Sequence, residues 1–251
     1  SITMDLSDCM RAIAREAFPN ATVIRDCFHV VKRGGEGCEE IRLRLKREAV
    51  KELNRQKTKF RKYLEGLAAQ RKAYRERMMA KHGRKWKKSK RGKKPKRLNT
   101  RFEPPRLTNG ETLVEALTRC RRQLSMSREK WSLTQEKRAK TLFELHPKLE
   151  EAYNLINSLR SVFRNKKLTK EAAKEKLGEW YDKVAACTLR EIKSVRDTIK
   201  FYEDEILNYF IERQTNASAE SLNSKIKCFR AQVKGIRDIP FFMYRLATVL
   251  G

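Results

Sequence analysis

The sequence lacks the features that mark several classes of protein. No apolar run in its 251 residues reaches the length of a membrane span and no signal peptide opens it, so we expect no association with a membrane. Its six cysteines include no CxxC pair and it has only three histidines, which disfavours a zinc knuckle, a redox motif or a His-rich metal site. We expect separate, reduced thiols in an intracellular protein.

Negative charge is also scarce, and this imbalance is the strongest signal in the composition. The chain has 60 Lys and Arg against 31 Asp and Glu, a formal net charge of +29. Such a chain repels itself until an anionic partner neutralises it, and a nucleic acid is the usual partner. A soluble helical protein with a heavily charged surface is the alternative interpretation.

The first residues predict a small α/β unit. Residues 1–5 (SITMD) are typical of a short strand that ends at Asp5, and residues 7–17 have the apolar spacing of a helix. Residues 21–24 (ATVI) predict a second strand, which leads into Asp26. Such a unit predicts a parallel pair with both aspartates near the carboxyl ends of the strands, where open α/β sheets place their chemistry. Because the chain begins inside the first strand, we expect a further segment upstream.

The rest of the chain is predicted to be almost entirely helical. Residues 39–82 favour one long, partly exposed helix or a helical hairpin, because their apolar positions are too sparse for a deeply buried helix. Further helical segments are predicted at residues 111–124, 135–145, 148–163, 170–186 and 189–210. The last of these has the clearest apolar periodicity. The predicted fold class is therefore mainly α.

A basic block, residues 84–97 (RKWKKSKRGKKPKR), separates the long helix from the later ones. Ten of its fourteen residues are Lys or Arg, so it cannot pack against itself. It is either a DNA-binding arm that holds phosphates, with an indole available for stacking, or a solvated surface loop. The candidate DNA contacts are Arg84, Lys85, Trp86, Lys87, Lys88, Lys90, Arg91, Lys93, Lys94, Lys96 and Arg97.

Residues 213–230 (RQTNASAESLNSKIKCFR) predict a helix that carries polar groups on one side. Thr215-Asn216 is a turn and cap signal. At helical spacing the polar stripe consists of Glu220, Asn223, Lys227 and Arg230, and a separate apolar stripe of Leu222, Ile226, Phe229 and Val233. The polar stripe presents an acid, an amide and two cations together, and simple ion pairing would also account for it.

Three blocks of the sequence resemble bacterial insertion-sequence transposases of the DDE type. The first, residues 4–32 (MDLSDCMRAIAREAFPNATVIRDCFHVVK), looks like the region of the family's second aspartate. The second is residues 127–155 (SREKWSLTQEKRAKTLFELHPKLEEAYNL). The third, residues 206–227 (ILNYFIERQTNASAESLNSKIK), looks like the glutamate motif. The blocks lie in the family's order and cover both ends and much of the middle of the chain.

The resemblance implies a truncated RNase H-like core in which three carboxylates hold two Mg²⁺ ions. It places the second aspartate at Asp5 and the glutamate at Glu220, and it puts the first aspartate on a strand upstream of residue 1. Asp8 competes for the role of second aspartate, but one turn into the helix it is better placed to serve the helix N-terminus. The family's Asn-Gly is Asn216-Ala217 here, a departure in the turn but not in the acid.

Further residues could orient the site. Asp26 and His29 match the family's Asp-x-Phe-His element, and they serve either to orient the metal ligands or to stabilise local structure. Asn223 is a third candidate for orienting the site, while Lys227 and Arg230 are candidate DNA contacts on the same helix.

The implied organisation is an α/β part of the core at residues 1–35, a large helical insertion at 36–210 and the C-terminal core helices at 211–251. The implied function, in the full-length protein, is metal-dependent cleavage and transfer of double-stranded DNA at transposon ends. The implied form is a homodimer in the bacterial cytoplasm, at the nucleoid. Without the first aspartate, we expect the chain by itself to be inactive.

Two rival interpretations come from other classes of protein. A basic helical RNA- or ribosome-binding protein without catalysis would make the acids incidental. A coiled-coil scaffold is disfavoured because the apolar heptads are short.

Overall fold

The structure is a computed structural model, and it describes residues 1–83, 100–233, 235 and 237–250. These residues are mainly helical, which confirms the predicted fold class at this level. Within them, no helix combines the length and the apolar character needed to cross a bilayer. The basic arm predicted at residues 84–97 lies outside the described residues.

The secondary-structure elements follow a simple order. The two strands are β1 (Ile2–Met4) and β2 (Val23–Arg25). The helices up to residue 145 are α1 (Asp8–Ala17), α2 (Cys27–His82), α3 (Leu113–Arg119), α4 (Arg121–Leu124) and α5 (Leu133–Leu145). The later helices are α6 (Pro147–Arg164), α7 (Lys170–Ala186), α8 (Arg190–Phe201), α9 (Glu203–Leu207), α10 (Tyr209–Glu212), α11 (Ala217–Gln232) and α12 (Ile239–Leu250).

The chain forms two compact units. One contains residues 1–38 together with 151–251, and the other contains residues 39–150. The first unit is therefore discontinuous in sequence, and both strands belong to it.

The predicted strand–helix–strand unit is present. β1 and β2 pair in parallel, with Ile2 opposite Val23 and Met4 opposite Arg25. Ser7 caps the intervening helix α1, because its hydroxyl accepts a hydrogen bond from the Met10 amide at 3.4 Å. The unit is thus built from local signals that the sequence displays.

Helix α2 begins earlier than predicted, at Cys27 rather than near residue 39. The intervening glycines disfavour a helix by propensity, but here they permit close packing. A Cβ atom at Gly34 would lie 3.2 Å from a methyl group of Leu159, and one at Gly37 would lie 2.8 Å from a methyl group of Val195. Tertiary packing therefore overrides the local preference, and the predicted start of the helix was wrong.

The single helix predicted at residues 189–210 is also wrong, because the chain leaves the regular helix at Tyr202. The Tyr202 ring lies against the guanidinium group of Arg25, 4.2 Å from ring centroid to Cζ, and its hydroxyl donates to Asp8. Nearby, the Asn208 side chain donates to the Val23 carbonyl at 2.9 Å. Contacts with the strand–helix–strand unit thus accompany the interruptions in what the periodicity predicts as one helix.

The core of the first unit lies among helices α6, α7 and α8. Its fully buried side chains include Ile156, Leu159, Trp180, Ile192 and Val195. The indole of Trp180 donates to the Leu155 carbonyl at 2.8 Å, so its polar atom is satisfied inside the core.

The second unit contains a nearly buried carboxylate held by arginines. The Arg138 guanidinium donates to both oxygens of Glu111 at 2.7 Å, and Arg119 donates to one of them at 2.8 Å. These groups, Arg138 first, hold the pKa of the Glu111 carboxyl at about 2, below its ordinary 4.5. The network joins the segment before α3 to helix α5.

Two glycines of α2 give a matched test of packing. We expect Gly37→Ala to lower the free energy of unfolding by about 1–3 kcal/mol, because the new methyl group overlaps Val195. At Gly66, in the same helix, no described residue lies within 4 Å of the position that a methyl group would take, so Gly66→Ala should raise that free energy by about 0.5–1 kcal/mol. Urea denaturation of both variants measures the difference, and equal shifts would contradict the packing argument.

The Glu111 network predicts a stability that depends on pH. Because its folded pKa is depressed, the carboxylate stabilises the fold above pH 4.5, and this contribution is lost as the pH falls towards about 2. We expect Glu111→Gln to cost about 2 kcal/mol at pH 7 and much less at pH 3. Hydrogen exchange of amides in α3 and α5 measures this, and a cost independent of pH would refute it.

Candidate functional site

Asp5 lies directly after β1, half-buried. One of its carboxylate oxygens accepts a hydrogen bond from the Ser7 amide at 3.0 Å, which fixes the side chain against the turn into α1. Its other oxygen has no hydrogen-bond partner in the part of the chain that the structure describes. The carboxylate of Asp5 is therefore oriented by one hydrogen bond and has one oxygen available to a ligand.

The backbone of Asp5 is held by Arg25, the last residue of β2. The Arg25 guanidinium is fully buried and donates through Nη1 to the Asp5 carbonyl oxygen. Its Nε donates to Glu205 at 2.7 Å. The position of Asp5 thus depends on a buried cation that is itself fixed by an acid 180 residues away in sequence.

Glu205 neutralises a cluster of arginines around that contact. Besides Arg25, its carboxylate accepts from Arg11 at 2.7 Å and from Arg15 at 3.4 Å. Within the part of the chain that the structure describes, the buried Nη2 atom of Arg25 has no hydrogen-bond partner. A single buried acid therefore ties α1, β2 and α9 together, and removing it would leave a buried charge uncompensated.

Asp26 faces a different set of partners from its neighbour Arg25. It is 2 % exposed, and one oxygen accepts from the Phe28 amide at 2.9 Å. The other oxygen accepts from the Asn216 amide at 3.1 Å. One carboxylate therefore serves amides at the start of both α2 and α11, where helices leave amide groups unpaired and carry partial positive charge.

Glu220 lies in the first turn of α11 and meets His29, which lies in the first turn of α2. The His29 Nε2 atom is 3.3 Å from a carboxylate oxygen of Glu220. The Glu220 side chain is 50 % exposed and that of His29 is 22 % exposed. The glutamate is thus oriented by one contact while its other oxygen remains open to solvent.

The remaining residues of the polar stripe on α11 do not join this group. Asn223, Lys227 and Arg230 are exposed, and among the described residues they form no hydrogen bond or ion pair with Glu220. No hydrogen bond links Asp5 to Glu220 across the described ranges either. We predict that the carboxylates of Asp5 and Glu220 lie within about 8 Å of each other if they share a metal pair.

The chemistry of Asp5 and Glu220 suits a hard divalent cation, since each offers an available carboxylate oxygen. Residues 1–83, 100–233, 235 and 237–250 contain no group of three or more His, Cys, Asp or Glu side chains that could hold a metal ion. Asp26 is 2 % exposed and each of its oxygens already accepts a backbone amide, so it is better suited to support the site than to bind the metal directly. The two carboxylates are therefore suitable ligands for such a cation, but the described residues do not bring three potential ligands together.

Sequence reasoning missed Arg25 and Glu205. The signals were present: Arg25 stands inside the apolar strand run ATVIRD, and Glu205 lies on the apolar face of the segment 189–210, beside Tyr202 and Ile206. A charged residue on a buried face predicts a buried partner, although the sequence does not say which one.

Comparison with known protein families identifies most of the chain. A family model described as a transposase, of the DDE class and the ISL3 type, matches residues 1–246. No curated protein and no solved structure matches the chain.

The double contact of Asp26 is open to a direct test. Asp26→Ala removes the acceptor for amides at two helix starts, so we expect it to lower the free energy of unfolding by about 2 kcal/mol. Thr169→Ala, which removes a single cap on α7, is the matched control and should cost about 1 kcal/mol. Hydrogen exchange should show faster exchange of the Asn216 amide only in Asp26→Ala. Unchanged protection of that amide would disprove the contact.

Proposed function

This chain belongs to the ISL3 family of DDE transposases, and we propose that Asp5 and Glu220 are two of the carboxylates with which the transposase cuts and joins DNA. The observation that carries the proposal is the Asp26 bridge. It fixes the start of the glutamate's helix to the end of the strand that pairs with the one before Asp5. Asp5 and Glu220 are far apart in the sequence, but two adjacent residues support them. Arg25, at the end of β2, holds Asp5, and Asp26, directly after it, holds the start of the helix that carries Glu220.

Members of the DDE class use a divalent metal ion, and we propose Mg²⁺ held by Asp5 and Glu220. Metal ions held there would supply activation of the attacking hydroxyl group and stabilisation of the leaving oxygen of a phosphodiester. His29 contributes by holding one oxygen of Glu220, so that the other oxygen would be available to a metal ion. Asp26 acts as a positioning residue, because it determines where α11 starts.

The arrangement of the chain supports an RNase H-like core with an insertion. The parallel pair β1–β2 and helix α11 belong to one compact unit, which residues 39–150 interrupt. We propose that these interrupting residues are part of the helical insertion predicted at 36–210, between the α/β part at 1–35 and the core helices at 211–251.

The substrate of a transposase is DNA, and we propose that this one acts as a homodimer on the duplex ends of its transposon. The basic arm at residues 84–97, inside the insertion, and the exposed Lys227 and Arg230, which follow it in sequence, are the proposed phosphate contacts. The proposed location is the bacterial nucleoid, where the duplex is found.

A transposition assay tests the two acids. A transposase that carries this chain is incubated with labelled DNA bearing the transposon ends and with Mg²⁺ or Mn²⁺, and cleavage and joining are measured. We expect Asp5→Asn and Glu220→Gln to abolish both reactions, because each removes an anionic metal ligand.

Two nearby acids serve as controls in the same assay. Asp8→Asn and Glu212→Gln should keep metal-dependent activity, because Asp8 accepts from Tyr202 and Glu212 from Ser1 and Gln214. Metal-dependent cleavage that survives Glu220→Gln would show that the active site lies elsewhere. Loss of activity in Asp8→Asn with retention in Asp5→Asn would move the second aspartate to Asp8.

A further inference from the structure

The distal part of α2, residues 57–82, is an exposed helix with a strong excess of positive charge. It carries nine Lys and Arg against two Glu. Almost every position in it is exposed, and only one stripe is partly covered, at Phe60, Leu64, Leu67 and Met78. A helix that is polar on most of its faces gains little stability from the burial of apolar side chains. Its conformation and charge therefore have a role other than packing.

A cleft on this helix combines an apolar floor with cations. It has a volume of about 500 Å³, and its lining consists of Leu64, Leu67, Ala68, Arg71, Lys72 and Arg75 of the helix together with Thr100. No acidic residue lines it within the described part of the chain. The cleft therefore offers three positive charges and a hydrocarbon surface to one ligand.

The three cations of this cleft are poorly neutralised by the protein. Lys72 has a single ion-pair partner, Glu76, at 4.0 Å, and both side chains are largely exposed. Such pairs contribute little in water. Arg71 and Arg75 have no ion-pair or hydrogen-bond partner in the ranges the structure describes. Their charges are available to an anion from outside the chain.

We propose that this cleft, with Arg71, Lys72 and Arg75, binds the sugar–phosphate backbone of duplex DNA. The guanidinium and ammonium groups neutralise phosphates, and the apolar floor accepts the sugars between them. The helix from residue 57 to 82 is about 39 Å long at 1.5 Å per residue, enough to follow one turn of duplex, about 34 Å. This inference rests on the proposed function only in taking DNA as the partner.

A second copy of the chain is the competing occupant, and the charge pattern argues against it. Alternating steps of four and three residues from Phe60 reach Leu64, Leu67, Arg71 and Tyr74 in turn. Arg71 therefore occupies a position in the same stripe as the apolar residues. A homodimeric coiled coil along this stripe would bring two copies of Arg71 together in the seam. The excess positive charge of the two helices would add to that repulsion.

The test compares two triple variants with the same change in charge on the same helix. The cleft variant is Arg71→Gln, Lys72→Gln and Arg75→Gln. The control is Lys59→Gln, Lys62→Gln and Arg77→Gln, which replaces three exposed cations that do not line the cleft. Gln is a good helix former, so circular dichroism should show unchanged helix content in both.

Binding to a random-sequence 30-base-pair DNA duplex is measured by fluorescence anisotropy in EDTA over a range of salt concentrations. We expect the cleft variant to reduce the slope of log K against log salt by about 2–3, since each phosphate contact contributes about 0.9. The control should reduce it by less than about 1.

Several outcomes would overturn the proposal. An equal loss in the two variants would show that only total charge matters, and no loss in the cleft variant would remove the site. A change in sedimentation mass without a change in DNA affinity would assign the cleft to a second copy. Tighter binding of an RNA duplex of equal length, lost in the cleft variant, would replace DNA by RNA.

The test is independent of the catalytic assignment, because it uses neither metal nor transposon ends. If Asp5→Asn and Glu220→Gln leave cleavage intact while the cleft variant loses DNA binding, the proposed active site falls and the cleft stands. If both acids prove essential while the cleft variant binds DNA like the original protein, the cleft alone falls.

Discussion

A buried arginine that must be neutralised is the constraint on which the candidate site depends. Arg25 has no exposed surface, and a charge in that position is tolerated only if an acid and further hydrogen bonds compensate it. Glu205 supplies the acid by accepting from Nε, and the Asp5 carbonyl accepts from Nη1 of the guanidinium group. The need to compensate the charge of Arg25 therefore brings α9 to the strands and holds Asp5 in place.

The neighbouring residue performs the complementary task. Asp26 buries a negative charge where two helices begin, and the amides of Phe28 and Asn216 compensate it. Adjacent residues of opposite charge thus support Asp5 on one side and the helix of Glu220 on the other. Arg25 ends β2 and Asp26 directly follows it, so two consecutive positions serve two different neighbours.

The sequence predicted the features that depend on neighbouring residues and missed those that depend on distant ones. The strand–helix–strand unit follows from local patterns, and it is present. The start of α2 was missed because Gly37 is explained only by Val195, far along the chain. The Arg25–Glu205 pair was missed for the same reason. The resemblance named Asp5 and Glu220, whereas periodicity alone would have left Glu220 an ordinary ion-pairing residue.

The charges that support the fold differ from those that we propose to bind DNA. Two acids of the fold are enclosed by cations: Glu205 by three arginines, and Glu111 by two. Many cations of the distal part of α2, by contrast, are exposed and weakly paired. Replacing the enclosed acids removes compensation from buried charge, while replacing the exposed cations removes only repulsion and affinity for anions. The proposed contacts with DNA can therefore be changed by substitution without changing the core, because the two properties depend on different charges of the same chain.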